Sequence, residues 1–392
     1  MRRWSEDDLR LSTLRRQFPK RLEGSGRPTS TAVLELVDRI APIQSQVPRA
    51  PFATIAARLP GTAYADLVDL FESHHLVKAS TLRGTVFTSG REQFGWSQRI
   101  AREGRAEFLA TQTKVAPEQV RGLLTAIEAE AAEWRPWDDL LDHARGLMTA
   151  GPPELAERAD QVRLLLWGQA GLLRRPPDTA WHKRTDVLRR SARVALPELP
   201  ESTFDEAVLA MVERHLRAYG PVTADDLCFY LGIRKTPLRR ALATLGARVI
   251  TGAGPAGQPM LDLDDELSST TELPESASGT HLLAEFDGLL MGYAGPGRLR
   301  FCEPDQLALV WNTKNAVCAP MVLSDGRIVA RWKTVGTGRR VRLEVTMLPP
   351  HPPVPEATFE RAVAALETVL DLEVRDVRVA LWPMGADSSR GA

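Results

Sequence analysis

The chain has 392 residues, 43% of them apolar, with fifty basic and fifty acidic side chains and a formal net charge of zero. That length suits roughly two to four domain-sized units with real cores, and the balanced charge means that any nucleic-acid surface must come from local clustering. No apolar run reaches the roughly 18 residues of a membrane span, the stretch Met1–Asp8 lacks the apolar segment of a signal peptide, and the cysteines at 228, 302 and 318, without CxxC or nearby His, argue against structural zinc and for a reducing, cytoplasmic setting.

The first unit is placed at residues 1–112. Val33, Leu36, Val37 and Ile40 mark a helix over 32–40. Next comes Ala41-Pro42-Ile43-Gln44-Ser45-Gln46-Val47-Pro48, whose prolines push residues 41 and 47 toward extended geometry. In extended backbone, side chains two apart share a face, so the Gln44 and Gln46 amides project together. Two neighbouring carboxamides can hold a water or a sugar oxygen without carrying charge. A short helix follows over 52–59, and Thr62 is expected to cap a third through Leu67, Leu70 and Phe71. Strands over 76–81 and 85–89 close the unit around Leu82-Arg83-Gly84. His74-His75 has no carboxylate at ligand spacing and reads as packing at a core edge.

The second unit, 113–200, carries helices over 136–148 and 154–167, the latter with Leu155, Ala159, Val162 and Leu166 in register. A basic hairpin is expected from 172–175 and 179–183. Basic residues gather here, at 174, 175, 183, 184, 189, 190 and 193, against acidic residues only at 178 and 186.

The third unit, 201–278, has the clearest pattern. Phe204, Val208, Met211 and Val212 define a helix that Gly220-Pro221 stops. Thr223, with Asp225 and Asp226 in the first turn, caps a second helix ending at Gly232. Thr236-Pro237 is read as the cap and first turn of a third, with Leu238, Ala241, Leu242 and Leu245 inward. Arg234, Lys235, Arg239 and Arg240 lie at its start and outer face. Strands over 247–251 and 260–263 flank a Gly/Pro-rich tip. Helix, helix, basic helix, hairpin is the order of a winged helix, whose third helix enters the major groove. Read less cleanly in the first two units as well, it predicts a tandem array.

Residues 279–392 are strand-rich up to about 348, with a hairpin turn at Asp325-Gly326 and core tryptophans at 311, 332 and 382. A small antiparallel sheet or barrel is expected, then a helix over 356–370, a strand near 374–382, and a Ser/Gly-rich tail from Gly385 expected to be disordered. The fold class is α+β, mainly α: tandem winged helices followed by the sheet or barrel.

Several stretches carry a family resemblance. They are Ile43-Gln44-Ser45-Gln46, Leu82-Arg83-Gly84-Thr85, Tyr219-Gly220-Pro221-Val222-Thr223-Ala224-Asp225-Asp226, Leu283-Ala284-Glu285-Phe286-Asp287-Gly288-Leu289-Leu290, and the segment Leu323–Trp332. In their order and spacing the chain resembles the winged-helix DNA-binding proteins that include the AlkZ and YcaQ DNA glycosylases, over about residues 10–383. The resemblance implies tandem winged helices closed by a β-barrel, and catalytic glutamines at Gln44 and Gln46, on the AlkZ side of the family. Two positions depart from the pattern: Ser45 replaces an aliphatic residue, and Phe87 stands where the family usually has His.

The expected function is a monofunctional DNA glycosylase that hydrolyses the N-glycosidic bond of N7-alkylated purines, including bulky or crosslinking adducts. A non-catalytic winged-helix regulator is the alternative. Alkylation at N7 makes the base cationic and weakens its glycosidic bond, so neutral amides that orient water can suffice. A normal base needs stronger acid or base help, for which Asp38, Asp66, Asp69 and Glu72 are the nearby candidates. Only Lys20 and Lys78 lie near the motif, which disfavours a Schiff-base lyase route. Arg83, Arg234, Lys235, Arg239, Arg240, Arg339 and Arg340 are the candidate DNA contacts. The expected partner is double-stranded DNA carrying alkylated purines, bound by a monomer with no cofactor, metal or membrane.

Overall fold

The computed structural model describes residues 2–19, 28–166, 168–265, 272–312 and 315–383. The region around the glutamines is built from helices Ser30–Ile40, Ala50–Arg58 and Tyr64–Glu72 and the antiparallel strands Leu76–Ser80 and Val86–Gly90. Val33, Leu36, Val37 and Ile40 are all buried, as their spacing predicts. Thr62 does not cap the third helix. Its hydroxyl donates to the Leu59 carbonyl at 2.8 Å, closing the preceding turn, and Ala63 holds the cap position without a side-chain bond.

Three further helices lie outside the elements expected from sequence. Glu6–Gln17 opens with a Ser5/Asp8 capping box and buries Ser12, Thr13, Arg16 and Gln17 beside its leucines, which erases the apolar period. The 23-residue helix Arg91–Thr113 packs against Phe204–Tyr219, and Pro117–Glu130 packs in turn against it. Trp137–Thr149 follows as expected.

The single helix expected over 154–167 is corrected to two short α-turns, Pro153–Ala156 and Val162–Leu165, flanking a 3₁₀ turn at Ala159–Gln161. Leu155, Val162, Leu165 and Leu166 still enter one apolar cluster with Leu140, Leu141 and Met148. Between Leu155 and Val162 only two alanines are apolar, too little area to hold a continuous middle turn. The expected strand at 179–183 is likewise corrected: Leu172–Arg175 pairs with Leu188–Ser191. Residues 179–183 form turns instead, because Trp181 stacks on Phe71 at 4.5 Å between ring centroids and its indole N–H donates to Glu72 at 2.8 Å.

These strands join one six-stranded sheet in the order Ile43–Gln44, Val86–Gly90, Leu76–Ser80, Leu172–Arg175, Leu188–Ser191, Arg135–Pro136. The hairpins of the first two units therefore share a sheet.

In the third unit, Phe204–Tyr219 and Ala224–Leu231 each begin with a capping box, from Thr203/Glu206 and Thr223/Asp226. The basic helix is Lys235–Leu245 with Arg234 at the cap, so Thr236 is not its cap. Pro237 is the third helical residue, still within the first turn, where its missing N–H has no intrahelical role to lose. Strands Val249–Ala253 and Pro259–Leu263 follow, and Arg2–Arg3 adds a parallel third strand.

The last sheet is open, so of the expected sheet or barrel it is the sheet that forms, and the barrel implied by the resemblance is corrected. Its order is Thr280–Leu283, Met321–Ser324, Arg327–Val335, Arg340–Met347, Glu373–Leu381. The final pair is parallel because the helix Glu360–Leu370 carries the chain back across the sheet, leaving the first and last strands at opposite edges. Asp325 and Gly326 both take positive φ, at 46° and 80°, as the tight hairpin turn requires. The tail from Gly385 lies outside the described residues. Among the described residues, no helix is long and apolar enough to cross a membrane.

Candidate active site

The chain leaves the helix Ser30–Ile40 and enters extended backbone at the glutamines. Ile43 and Gln44 pair with Thr88 and Phe87, and the Ser45 N–H donates to the Val86 carbonyl at 2.7 Å. The approach to this strand is pinned by phenols: Tyr219 donates to the Ile40 carbonyl at 3.1 Å and Tyr230 to that of Pro42 at 3.2 Å. Both tyrosines are buried, and burial pushes the Tyr230 phenol well above its ordinary value, so it stays a neutral donor.

The two amides do share a face. Gln44, only 8% exposed, donates from Nε2 to Gln46 Oε1 at 2.6 Å. That bond engages the Gln46 amide through its oxygen, and the Gln46 side chain is exposed while Gln44 is buried. Gln44 Oε1 is buried without a hydrogen-bond partner among the described residues, an acceptor held dry and unspent.

Both departures from the family pattern have local explanations. Ser45 is buried, and its hydroxyl bonds to Thr88 Oγ1 at 2.8 Å and donates to the Ile43 carbonyl at 2.9 Å, so a polar side chain is satisfied there. Phe87 is buried, with its ring 6.5 Å from that of Tyr230 and the Arg83 guanidinium 5.7 Å from its centre. It packs, and supplies no proton.

Gln46 lines a cleft of about 230 Å³ together with Ser80, Thr85, Trp137, Gln169, Arg174 and Arg189. Its end is closed where two loops meet at Gly84 and Gly168; a Cβ on Gly168 would come within 2.5 Å of the Gly84 carbonyl, so the approach needs glycine. Among the described residues, no carboxylate lines this cleft. Of the acids weighed from sequence, Asp38 pairs with Arg214, and Glu72 is held by Arg175 and Trp181. Asp66 and Asp69 sit on the helix Tyr64–Glu72 and are likewise absent from the lining. Lys78 is 2% exposed, its ammonium 3.0 Å from Asp186. Lys20 lies outside the described residues.

The basic candidates divide. Arg83 turns inward, donating to the Tyr230 carbonyl and lying over the Phe87, Phe229 and Tyr230 rings. Arg234, Lys235, Arg239 and Arg240 are all exposed on the basic helix. Lys235 pairs with Asp225 at 2.9 Å and Arg240 with Asp205 at 2.7 Å. Arg339 and Arg340, in the last sheet, pair with Asp371 and Glu373. Arg174 and Arg189, which share the cleft with Gln46, were visible from sequence only as members of a charged run. Burial, then the charge of Arg174, pulls the Arg189 guanidinium down to about 9, and burial also lowers Lys78 and Arg174.

The other shared stretches act as struts. Glu285 accepts from Arg49 at 2.6 Å, and Asp287 clasps Arg58 through two bonds at 2.8 and 2.9 Å, tying the glutamine region to the last sheet. A buried side chain of this kind is costly to break.

The model for the family described as DNA glycosylase AlkZ-like matches residues 37–369. An interstrand DNA cross-link repair glycosylase of Streptomyces sahachiroi is 26% identical over 193 residues, 46% of this chain and 47% of that protein. The chain thus matches about half the length of that curated relative. The solved structure of Streptomyces sahachiroi DNA glycosylase AlkZ superposes with a TM-score of 0.77 at 20% identity, over 96% of this chain and 100% of that one, which shows a shared fold.

Proposed function

The chain belongs to the AlkZ-like DNA glycosylase family, and from that premise we propose that it is a monofunctional DNA glycosylase hydrolysing the N-glycosidic bond of N7-alkylated purines, bulky and crosslinking adducts included. One observation carries the reading: Gln44 and Gln46 form a hydrogen-bonded amide pair at a cleft whose lining contains no carboxylate. Such a site has no strong general acid or base, so it suits a leaving group that is already positively charged. Gln46 orients the water and the oxygen of an oxocarbenium-like sugar, and Gln44 fixes the Gln46 rotamer. Lys78 is committed to Asp186, which supports hydrolysis without a Schiff base.

The three helix-and-hairpin units are read as winged helices that let a monomer embrace duplex DNA. Self-resistance to a DNA-alkylating natural product is a role this chemistry would serve. The test is to incubate purified protein with an N7-alkylguanine duplex and cleave abasic product with alkali. Modified purine released over several turnovers, from a monomer with little preference among undamaged sequences, supports the enzyme. A dimer that discriminates one site by about a thousandfold, without base release, refutes it in favour of a regulator.

A further inference from the structure

We infer that the cleft beside Gln46 is an anion site that grips a backbone phosphodiester next to the nucleotide being cut, with Arg174 as the residue that holds it. This rests on the glycosylase reading above for the placement of the lesion.

The argument begins with strand register. Ala79 pairs with Leu173, and Arg174 with Arg189. In antiparallel pairing that puts Lys78, Arg174 and Arg189 on one face of three adjacent strands. Like charges placed opposite each other in a sheet are unfavourable, and burying them costs more. Among the described residues, Asp186 is the one carboxylate paired with them. Its carboxylate lies 3.0 Å from the Lys78 ammonium and 3.8 Å from Arg174 Nε, while Arg189 donates to the backbone carbonyls of Asp186 and Leu188 at 2.9 and 2.8 Å. Three cations against one carboxylate leave the floor of the cleft positive.

Arg174 is incompletely used. Its Nη1 donates to Ser80 Oγ at 2.8 Å, but its Nε is buried with no hydrogen-bond partner. Around it the cleft presents the Arg189 guanidinium, the hydroxyls of Ser80 and Thr85, and the Gln46 amide, and among the described residues its lining holds no carboxylate, Asp186 lying behind it. A phosphodiester supplies both the missing charge and the acceptor oxygens, and a guanidinium matches it well. The same positive floor repels an N7-alkylated, cationic purine. The sugar therefore meets Gln46 with its phosphate turned into the cleft and its base turned away, which leaves bulk on the base unconfined.

The experiment measures binding of the full chain to a duplex carrying a tetrahydrofuran abasic analogue, with a neutral methylphosphonate introduced at each nearby phosphate in turn. For wild type, neutralising one particular linkage should weaken binding about tenfold, the effect of one lost charge-assisted contact, and reduce the salt slope by about 0.9. Arg174→Gln should lose a similar factor on the unmodified duplex and be indifferent to that linkage; Arg174→Lys should recover part of both. Losses that simply multiply, or a wild type indifferent to every linkage, overturn the assignment. The wild-type scan decides the matter even if the Gln variant fails to fold. Excision of N7-alkylguanine by wild type without any coupled linkage sinks this inference alone, whereas an absence of excision sinks the glycosylase reading.

Discussion

Two basic stretches that look alike in sequence end in opposite places. The ends of the stretch 174–193 lie on paired strands of a packed sheet, where Arg174 and Arg189 turn toward a half-enclosed cleft and Arg175 toward Glu72 and Trp181. The stretch 232–248 lies on an amphipathic helix, whose apolar side takes Leu238, Ala241 and Leu245 inward and leaves Arg234, Arg239 and Arg240 in water. The difference teaches that a run of cations does not mark its own role. A helix with an apolar stripe sorts charge outward, whereas a strand alternates faces and can drive charge into the fold. The first stretch sits where chemistry is proposed; the second is proposed to meet DNA from outside.

The largest expected effect tests the cleft end of that comparison. Gln46→Ala should slow single-turnover excision by roughly 10- to 1,000-fold, the range for losing one positioning or charge-stabilising group. Gln44→Ala should fall in the same range by freeing the Gln46 side chain it now holds at 2.6 Å. DNA affinity should barely change, since neither residue is charged. Wild-type excision by both variants would remove the chemistry from this cleft.

Stability should also separate the regions. Asp186→Ala leaves Lys78, Arg174 and Arg189 without their one carboxylate, and breaking a buried pair in this way costs about 3–5 kcal/mol. Urea denaturation would register that as a large fall in midpoint. Asp225→Ala, which removes the partner of Lys235 at the surface, should leave the midpoint unchanged. Equal shifts for both would mean that the cleft floor is as well solvated as the basic helix.

What was legible in the sequence follows from the same physics. The extended glutamine segment could be read because two prolines restrict it, and the third unit because Thr203 and Thr223 begin helices with acids in the first turn. The helices Glu6–Gln17 and Arg91–Thr113 were not legible, since they bury polar side chains or carry few apolar ones. Strand patterning left sheet and barrel both open, because the strand Glu373–Leu381 joins in parallel after a helical crossover, a connection that such patterning does not reveal. At the candidate site, the shared face of Gln44 and Gln46 was legible from their extended backbone, but Arg174 and Arg189 join them only through pairing between Leu76–Ser80, Leu172–Arg175 and Leu188–Ser191. The true partner strand was hidden by the β-prone look of 179–183, which Trp181 draws into the core instead.

Acid offers a way to break the interior beneath the outer region. His215 is fully buried in the helix Phe204–Tyr219, with Nε2 2.8 Å from the Gly292 carbonyl, and burial pulls it down to about 4. Between that value and the ordinary His value of about 6.5, the unfolded chain binds the proton more readily than the folded one. Stability is therefore lost as pH falls through this window, by about 3 kcal/mol at full effect. Unfolding midpoints from pH 7 to 4 should decline more steeply in wild type than in His215→Phe. Parallel declines would assign the acid sensitivity to other groups.

The smallest effect tests the outer end of the comparison. Arg234 and Arg239 are exposed and carry no ion pair among the described residues, while Lys235 and Arg240 are engaged by Asp225 and Asp205. The first two are thus the cations freest to replace counterions on a phosphate backbone. Replacing both with Ala should weaken binding at every sequence alike and flatten the salt dependence by about 0.9 per lost contact. Excision under saturating protein should stay at the wild-type rate, because these side chains lie on an exposed helix and line no part of the cleft beside Gln46. Titrations of duplex at several salt concentrations give the slope, and single-turnover assays give the rate. An unchanged slope would mean that this helix faces away from bound DNA and that the inward-turned cations supply the grip. A lower rate at saturation would mean that the two basic regions act on the same step.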